Sequence, residues 1–166
     1  MLGVSETDQV VALCAEDYPR HFVSGQHPKD CVVTKVLDTK PEFIFHHVRG
    51  KNNRLWFRAA WKLPSDEFTT MSFLLDTGAP KHLYLSEKCL QVLEKAGVVQ
   101  VNEDFNIMFV VIFGRKCPVE RTPSPHSQAN IMGLKLLMLL GLQLSEEEPY
   151  FSFTKKFDFI TAEALA

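Results

Sequence analysis

The segment that most constrains the fold is residues 55–63, where apolar and polar side chains alternate along the chain. The apolar positions on one face are Leu55, Phe57, Ala59, Trp61 and Leu63. Arg58 and Lys62 fall on the opposite face. Alternation with a period of two residues is typical of a β-strand that buries one face. We therefore expect a β-sheet to form the core of this chain.

Turn-forming residues divide the rest of the chain into other short elements. Further strands are expected over residues 31–37, 43–48, 69–75, 98–101 and 106–113. Helices are expected over residues 5–18, 86–96 and 134–140, with Gly97 and Gly141 closing the last two. The predicted fold class is therefore all-β, a β-rich chain with two or three short helices.

Length and composition indicate one folded domain. A chain of 166 residues buries roughly 70% of its surface on folding, which is enough for one sizeable core. Apolar residues make up 46% of the chain and charged residues 23%, a composition that excludes a disordered chain. We expect residues 1–30 to form an N-terminal helix and linker, followed by one domain over residues 31–166.

Charge and hydropathy exclude two classes of partner. A formal net charge of −2 provides no basic surface for nucleic acid. The longest nearly unbroken apolar run, residues 136–142, is far shorter than the about twenty residues that a membrane-spanning helix needs. The N-terminus lacks the basic region of a secretory signal peptide. We therefore expect an intracellular, cytoplasmic protein that binds neither nucleic acid nor membranes.

The potential metal ligands do not form a recognised motif. The best candidates are Cys14, His21, His27 and Cys31, but their spacing fits none of the usual zinc patterns. We therefore expect no metal and no other cofactor. In a chain with no secretory signal, these cysteines, Cys89 and Cys117 are expected to be reduced and buried.

One run of residues carries recognisable chemistry. Apolar residues 73–75 lead directly into Asp76-Thr77-Gly78-Ala79, so a strand delivers a carboxylate into a turn of small residues. Taken alone, Asp-Thr-Gly is ordinary turn material that also occurs by chance. Two later segments accompany it, a turn at residues 114–116 after an apolar strand and residues 130–133 before a short apolar helix. The order of the three segments is more specific than any one of them.

In order and spacing these segments resemble the retropepsins, the single-lobe aspartic proteases of retroviruses and retroelements, and their cellular relatives. The resemblance covers residues 70–142. It implies a retropepsin-like acid protease barrel in which Asp76 is catalytic and Thr77, Gly78 and Ala79 form the active-site loop. It also implies that Thr77 hydrogen-bonds across a dimer axis and that Gly133 packs tightly behind the aspartate loop.

The chemistry of peptide hydrolysis explains why this family needs paired aspartates. One group must activate water and another must protonate the carbonyl oxygen. Two neighbouring carboxyl groups do both, because like charges so close hold one proton between them. This chain has a single Asp-Thr-Gly, so a symmetric homodimer must bring Asp76 to meet the same residue of a second copy.

The expected activity is therefore that of an aspartic endopeptidase acting on extended polypeptide, for example a polyprotein or a larger precursor. The resemblance implies that substrate lies as a strand in a groove between the two subunits. The candidate groove residues are Pro80, Lys81, His82, Ile131 and Gly133. For Lys81 and His82 a solvated loop is the competing interpretation.

Two departures from the family favour a second hypothesis. Viral retropepsins usually carry an acidic residue after Asp-Thr-Gly-Ala and an arginine after the downstream glycine, whereas this chain has Pro80 and Leu134. In the family, a glycine-rich flap forms between the aspartate loop and the strand before the downstream turn. In this chain the corresponding residues are mostly taken up by the expected 86–96 helix, so only a short hairpin tip at residues 102–104 is left to act as a flap. A short flap leaves three options, which are a more open cleft, slower turnover or a lid formed by residues 1–30.

The alternative function is a catalytically weak or inactive retropepsin-like module for dimerisation or peptide binding. A third option is that the active partner is a different chain. The phenylalanine-rich segment 151–159 is expected to be either additional dimer surface or a strand of the core.

Overall fold

A computed structural model of the chain describes residues 13–22, 25–35, 44–48, 52–102 and 107–165. Within these ranges the chain is β-rich, with eleven strands and two α-helices, in agreement with the predicted all-β class. The strands are β1 (Ile44–Val48), β2 (Arg54–Leu63), β3 (Glu67–Asp76), β4 (Leu83–Leu85), β5 (Val99–Asn102), β6 (Ile107–Ile112), β7 (Arg115–Arg121), β8 (Asn130–Gly133), β9 (Leu142–Leu144), β10 (Phe151–Phe153) and β11 (Ile160–Thr161). The helices are α1 (Glu87–Lys95) and α2 (Leu134–Leu140).

The C-terminal strand joins distant parts of the main sheet. Eight strands follow one another in the order β1-β2-β3-β8-β4-β7-β6-β5. β11 pairs in parallel with β2, and the next residue, Ala162, forms a bridge to Ile112 of β6. The result is a nine-stranded half-barrel, beside which β9 and β10 form a separate two-stranded sheet.

The larger apolar cluster lies on the face of β2 that the sequence predicts to be buried. Phe57, Ala59, Trp61 and Leu63 are all buried in it, together with the buried faces of α1 and α2. The phenylalanine-rich tail contributes Phe151 and Phe153 to the same cluster, and both are buried. This supports the interpretation of these two residues as part of the core.

The opposite face of β2 is also covered, which the alternation pattern does not predict. Trp56 is fully buried there in a second cluster with Leu74 and Tyr84, against which Tyr18 and Phe22 pack. The indole N–H of Trp56 donates a hydrogen bond to the carbonyl oxygen of Asp17 at 2.8 Å. We refer to residues 13–22 and 25–31 as the N-terminal segment, and this segment forms the cover.

The predicted helix over residues 5–18 is wrong in its described part, residues 13–18. Ala15–Asp17 form a single 3₁₀ turn and Cys14 before them is extended. The reason is local, since the Cys14 N–H donates to the Asp17 carboxylate at 2.9 Å and so closes a tight turn. Residues 1–12 lie outside the described ranges.

The predicted strand over residues 31–37 is also wrong in its described part. Cys31 has a positive φ of 63°, and Thr34 forms an isolated bridge to Phe68 rather than part of a continuous strand. A left-handed residue cannot continue a strand. Residues 36 and 37 lie outside the described ranges.

Both predicted C-terminal helices are confirmed. Ser86 caps α1 by accepting a hydrogen bond from the Cys89 N–H, and Gly97 follows with a φ of 75°. Gly141 ends α2 in the left-handed conformation. Among the helices that the structure describes, none is both long enough and apolar enough to cross a bilayer.

Candidate active site

Asp76 is the last residue of β3 and the first of a tight turn. Its Oδ1 accepts a hydrogen bond from the Gly78 N–H at 2.9 Å, and its carbonyl oxygen accepts one from the Ala79 N–H at 3.1 Å. Small residues after the aspartate allow the chain to fold back this closely. The carboxylate is thereby fixed with respect to its own loop.

The aspartate loop, residues 76–82, rests on the end of β8. Asp76 lies beside Gly133 in the parallel register of β3 and β8. The Gly133 N–H donates to the carbonyl oxygen of His82 at 3.0 Å, and the Leu134 N–H donates to that of Ala79 at 2.9 Å. Two backbone hydrogen bonds from the β8–α2 junction therefore hold the loop at both of these points.

Gly133 lies directly against this loop. A Cβ atom built on it would overlap the carbonyl oxygen of Lys81 and come within 2.7 Å of that of Ala79. Both obstacles are backbone atoms of the aspartate loop, so a side chain could be accommodated only by moving the loop. The resemblance implies that Gly133 packs tightly behind the aspartate loop, and the structure shows which atoms of the loop it contacts.

The predicted site residues fall into two groups. Thr77 and Gly78 are exposed at the turn, and Pro80, Lys81 and His82 are half-buried. Ala79 and Ile131 are fully buried in the second cluster with Leu74 and Tyr84. Ile131, which the sequence places in the substrate groove, has its side chain in the apolar cluster behind the loop. Ala79 likewise packs in this cluster.

The half-buried residues of the loop are engaged within the chain. The Lys81 ammonium lies 3.8 Å from a Glu120 carboxylate oxygen, and the Lys81 N–H donates to the Tyr84 hydroxyl at 3.2 Å. Burial lowers the pKa of His82, and the nearby Lys135 cation lowers it further. A neutral imidazole therefore stands at the end of the aspartate loop near pH 7.

Asp76 itself is largely covered, with 6% of its surface exposed. One carboxylate can accept or donate a proton, but it cannot act as base and acid in the same step.

The described part of the chain holds no group of three or more His, Cys, Asp and Glu side chains placed to bind a metal ion. The predicted flap tip falls mainly on residues 103 and 104, which lie outside the described ranges.

A second feature lies at the other end of β4 and was not predicted. A cavity of about 740 Å³ separates the N-terminal segment from the start of α1 and the loop after β7. The Gln26 amide spans its edge, donating to the Ser86 hydroxyl at 2.8 Å and to the Gln128 carbonyl oxygen at 3.0 Å. Its walls come from three segments far apart in sequence, each of which is unremarkable by itself.

Comparison with protein-family models, with curated proteins and with solved structures finds nothing that matches this chain.

Proposed function

We propose that this chain is an aspartic endopeptidase that is active as a homodimer, with Asp76 of each subunit as the catalytic residue. The observation that supports this most strongly is the construction of the aspartate loop. Its carboxylate accepts a hydrogen bond from Gly78, and its backbone is braced by Gly133 and Leu134. Such a rigid loop holds an acid in one place, as a proton-transfer catalyst requires.

The exposed turn residues support the dimer. Thr77 and Gly78 are exposed, so the turn that carries Asp76 is available to a second copy. In a symmetric pair the two turns would meet at the axis and bring the two carboxylates together. One proton shared by the pair would allow one aspartate to activate water while the other protonates the scissile carbonyl oxygen.

The substrate class that fits is extended polypeptide. A strand laid between two half-barrels can form main-chain hydrogen bonds on both sides, which gives binding without a strict requirement for particular side chains. Pro80, Lys81 and His82 form the half-buried rim beside the aspartate turn. These residues, rather than the buried Ile131, would contact the substrate.

The low exposure of Asp76 favours a second candidate function. Water has to reach the carboxylate for hydrolysis, and only 6% of this residue is exposed. A module that dimerises or binds peptides through the same surface needs no such access. The second candidate is therefore a retropepsin-like binding module that cleaves little or nothing.

An Asp76→Asn variant tests the protease proposal. Asparagine keeps an oxygen that can accept from the Gly78 N–H but cannot share an acidic proton. We expect the wild-type chain to cleave an unfolded protein at acidic to neutral pH, and the variant to be slower by about 100- to 10,000-fold or more. The matched control is Asp158→Asn, which changes an exposed aspartate in the tail and should keep full activity. Equal cleavage by Asp76→Asn and the wild type would end the proposal.

Sedimentation equilibrium separates the remaining options. A dimer that cleaves nothing and whose melting temperature is unchanged by active-site peptidomimetic inhibitors supports the binding module. A chain that stays monomeric at all concentrations and cleaves nothing supports an active partner that is a different chain. A dimer that is stabilised by such inhibitors supports the protease.

A further inference from the structure

Two cysteines that the sequence does not bring together lie in contact inside the protein. The sulfur atoms of Cys31 and Cys89 are 2.7 Å apart. Cys31 is 9% exposed and Cys89 is fully buried. The contact joins the end of the N-terminal segment to the first turn of α1.

The backbone of each cysteine is fixed where it stands. The Cys31 N–H donates to the carbonyl oxygen of Thr70 in β3 at 2.9 Å. The Cys89 N–H donates to the hydroxyl of the helix cap, Ser86, at 3.3 Å. A disulfide bond is about 2.05 Å long, so the two sulfurs have to approach by only roughly 0.65 Å.

The surroundings of the pair favour a thiolate on Cys89. A hydrogen bond from the Cys31 thiol lowers the pKa of Cys89, and hydrogen bonds with Ser86 and Asn130 lower it further, against the opposing effect of burial. The Asn130 amide nitrogen lies 3.2 Å from the Cys89 sulfur. The same contact raises the pKa of Cys31. The Asn130 amide beside the Cys89 sulfur would stabilise the thiolate, the nucleophilic form of cysteine, on Cys89 rather than on Cys31.

The pair lies close to the cavity at the start of α1. The Gln26 side-chain oxygen lies 3.5 Å from the Cys31 sulfur and 3.9 Å from the Cys89 sulfur. Gln26 and Ser86 also line the cavity of about 740 Å³ at the start of α1. The two thiols therefore lie one side chain away from this cavity, which is wide enough for a peroxide.

We propose that Cys31 and Cys89 are a redox site that a peroxide converts into an intramolecular disulfide. The Cys89 thiolate attacks one peroxide oxygen, the O–O bond breaks, and the departing hydroxide takes up the proton that Cys89 released and becomes water. The Cys31 sulfur then attacks the sulfur of the Cys89 sulfenic acid, the S–O bond breaks, and a second water leaves with the Cys31 proton. Each sulfur is oxidised by one electron and the peroxide is reduced by two.

The bond would anchor the N-terminal segment to α1. It links residues that are 58 positions apart, and such a link restricts the unfolded chain. Oxidation should therefore raise the melting temperature by roughly 5–15 °C, given the usual stabilisation by a disulfide and the size of the chain. Reduction should reverse the change.

Peptide mapping of the full-length chain tests the proposal directly. The reduced protein is treated with hydrogen peroxide, its free thiols are then blocked, and its intact mass and peptides are measured without a reductant. We expect the loss of two hydrogen atoms, a linked peptide containing Cys31 and Cys89, and recovery of both thiols on reduction. The matched controls Cys14→Ser and Cys117→Ser should form the same link, while Cys31→Ser should not.

Two results would overturn the proposal. One is oxidation of the exposed Cys14 while Cys31 and Cys89 both remain free thiols. The other is conversion of Cys89 to a sulfinic acid with no linked peptide. Because the mapping is done on the wild-type chain, its outcome does not depend on whether Cys31→Ser folds.

Discussion

The carbonyl oxygen of Lys81 lies where a side chain on Gly133 would have to begin. Gly133 ends β8 beside Asp76, and Lys81 belongs to the loop that follows Asp76, so the contact joins two segments distant in sequence. The absence of a side chain at one position thus determines how close the β8–α2 junction comes to the aspartate loop. The shape of the candidate site depends on this contact.

Replacing Gly133 with alanine should destabilise the protein strongly. The new Cβ would overlap backbone atoms, which cannot rotate away as a flexible side chain can. We expect a loss of about 3 kcal/mol or more in the free energy of unfolding, measured by urea denaturation. The matched control is Gly97→Ala, where φ is +75° but nothing lies within 4 Å of the added atom, and the loss should be about 1 kcal/mol. Equal losses in the two variants would contradict this prediction.

The buried ion pair between Asp30 and Arg58 should matter far more than an exposed one. Asp30 is fully buried and accepts hydrogen bonds from the Arg58 Nε at 2.9 Å and the His27 N–H at 3.0 Å. Asp30→Ala leaves the half-buried arginine charge without its carboxylate partner, so we expect the free energy of unfolding to fall by about 2–4 kcal/mol.

The exposed pair between Arg121 and Glu87, also at 3.0 Å, supplies the control for this comparison. Glu87→Ala should change the free energy of unfolding by about 0–1 kcal/mol. A double variant, Asp30→Ala with Arg58→Met, should recover part of the loss because it removes the stranded charge. If Asp30→Ala and Glu87→Ala gave equal effects in the same urea titrations, the ion pair would not have the role assigned to it.

Asp17 should make the protein less stable in acid. Burial raises the pKa of Asp17, but hydrogen bonds from Cys14 and Asn52 and the charge of Arg54 lower it, and the net pKa lies below the ordinary value. As the pH falls below about 4, the Asp17 carboxylate is therefore protonated in the unfolded chain before it is protonated in the folded one. The stability that Asp17 contributes is present above this pH and is lost below it.

The measurement for Asp17 is the free energy of unfolding as a function of pH. The wild-type curve should fall towards low pH, and the Asp17→Asn curve should fall less steeply because one titrating group is gone. Other carboxylates contribute to both curves, so the difference between them is the informative quantity. Parallel curves for the two proteins would show that Asp17 does not contribute.

The imidazole of His82 should remain neutral to lower pH than an exposed histidine. Burial and the Lys135 cation both lower the pKa of His82. Lys135→Gln removes one of these two causes, so an NMR titration of the imidazole should show the pKa of His82 rising while staying below its ordinary value. Lys156→Gln, which removes an exposed charge from the tail, should leave it unchanged. A fall in the pKa after Lys135→Gln would contradict the assignment.

The elements that could be predicted from the sequence are those with a local signal. Alternation identified β2, and the cap at Ser86 with Gly97 identified α1. β8 was not predicted because its four residues are all buried, so it shows no alternation. β7 contains Pro118, which weakens a strand signal even though the fold accommodates it.

The parts of the candidate site that depend on contacts between distant segments could not be predicted from the sequence. The turn at Asp76 could be predicted from its residue types, whereas the burial of Ile131 depends on how the N-terminal segment covers Trp56 and its neighbours. The covering segment contains a 3₁₀ turn closed by Asp17. The residues next to Trp56 in sequence give no indication that this segment packs against Trp56. The contact of Cys31 with Cys89 was missed for the same reason.

The strand pairing of β11 has a consequence for the order in which the protein is made and folded. β11 lies along β2, and Ala162 and Glu163 donate backbone hydrogen bonds to Lys62 and Val111. During synthesis β2 and β6 leave the ribosome long before these partners exist. Until residues 160–163 emerge, the parts of β2 and β6 that they pair with are exposed strand edges. During this stage of synthesis a chaperone or another aggregating chain can bind these edges in competition with the final fold.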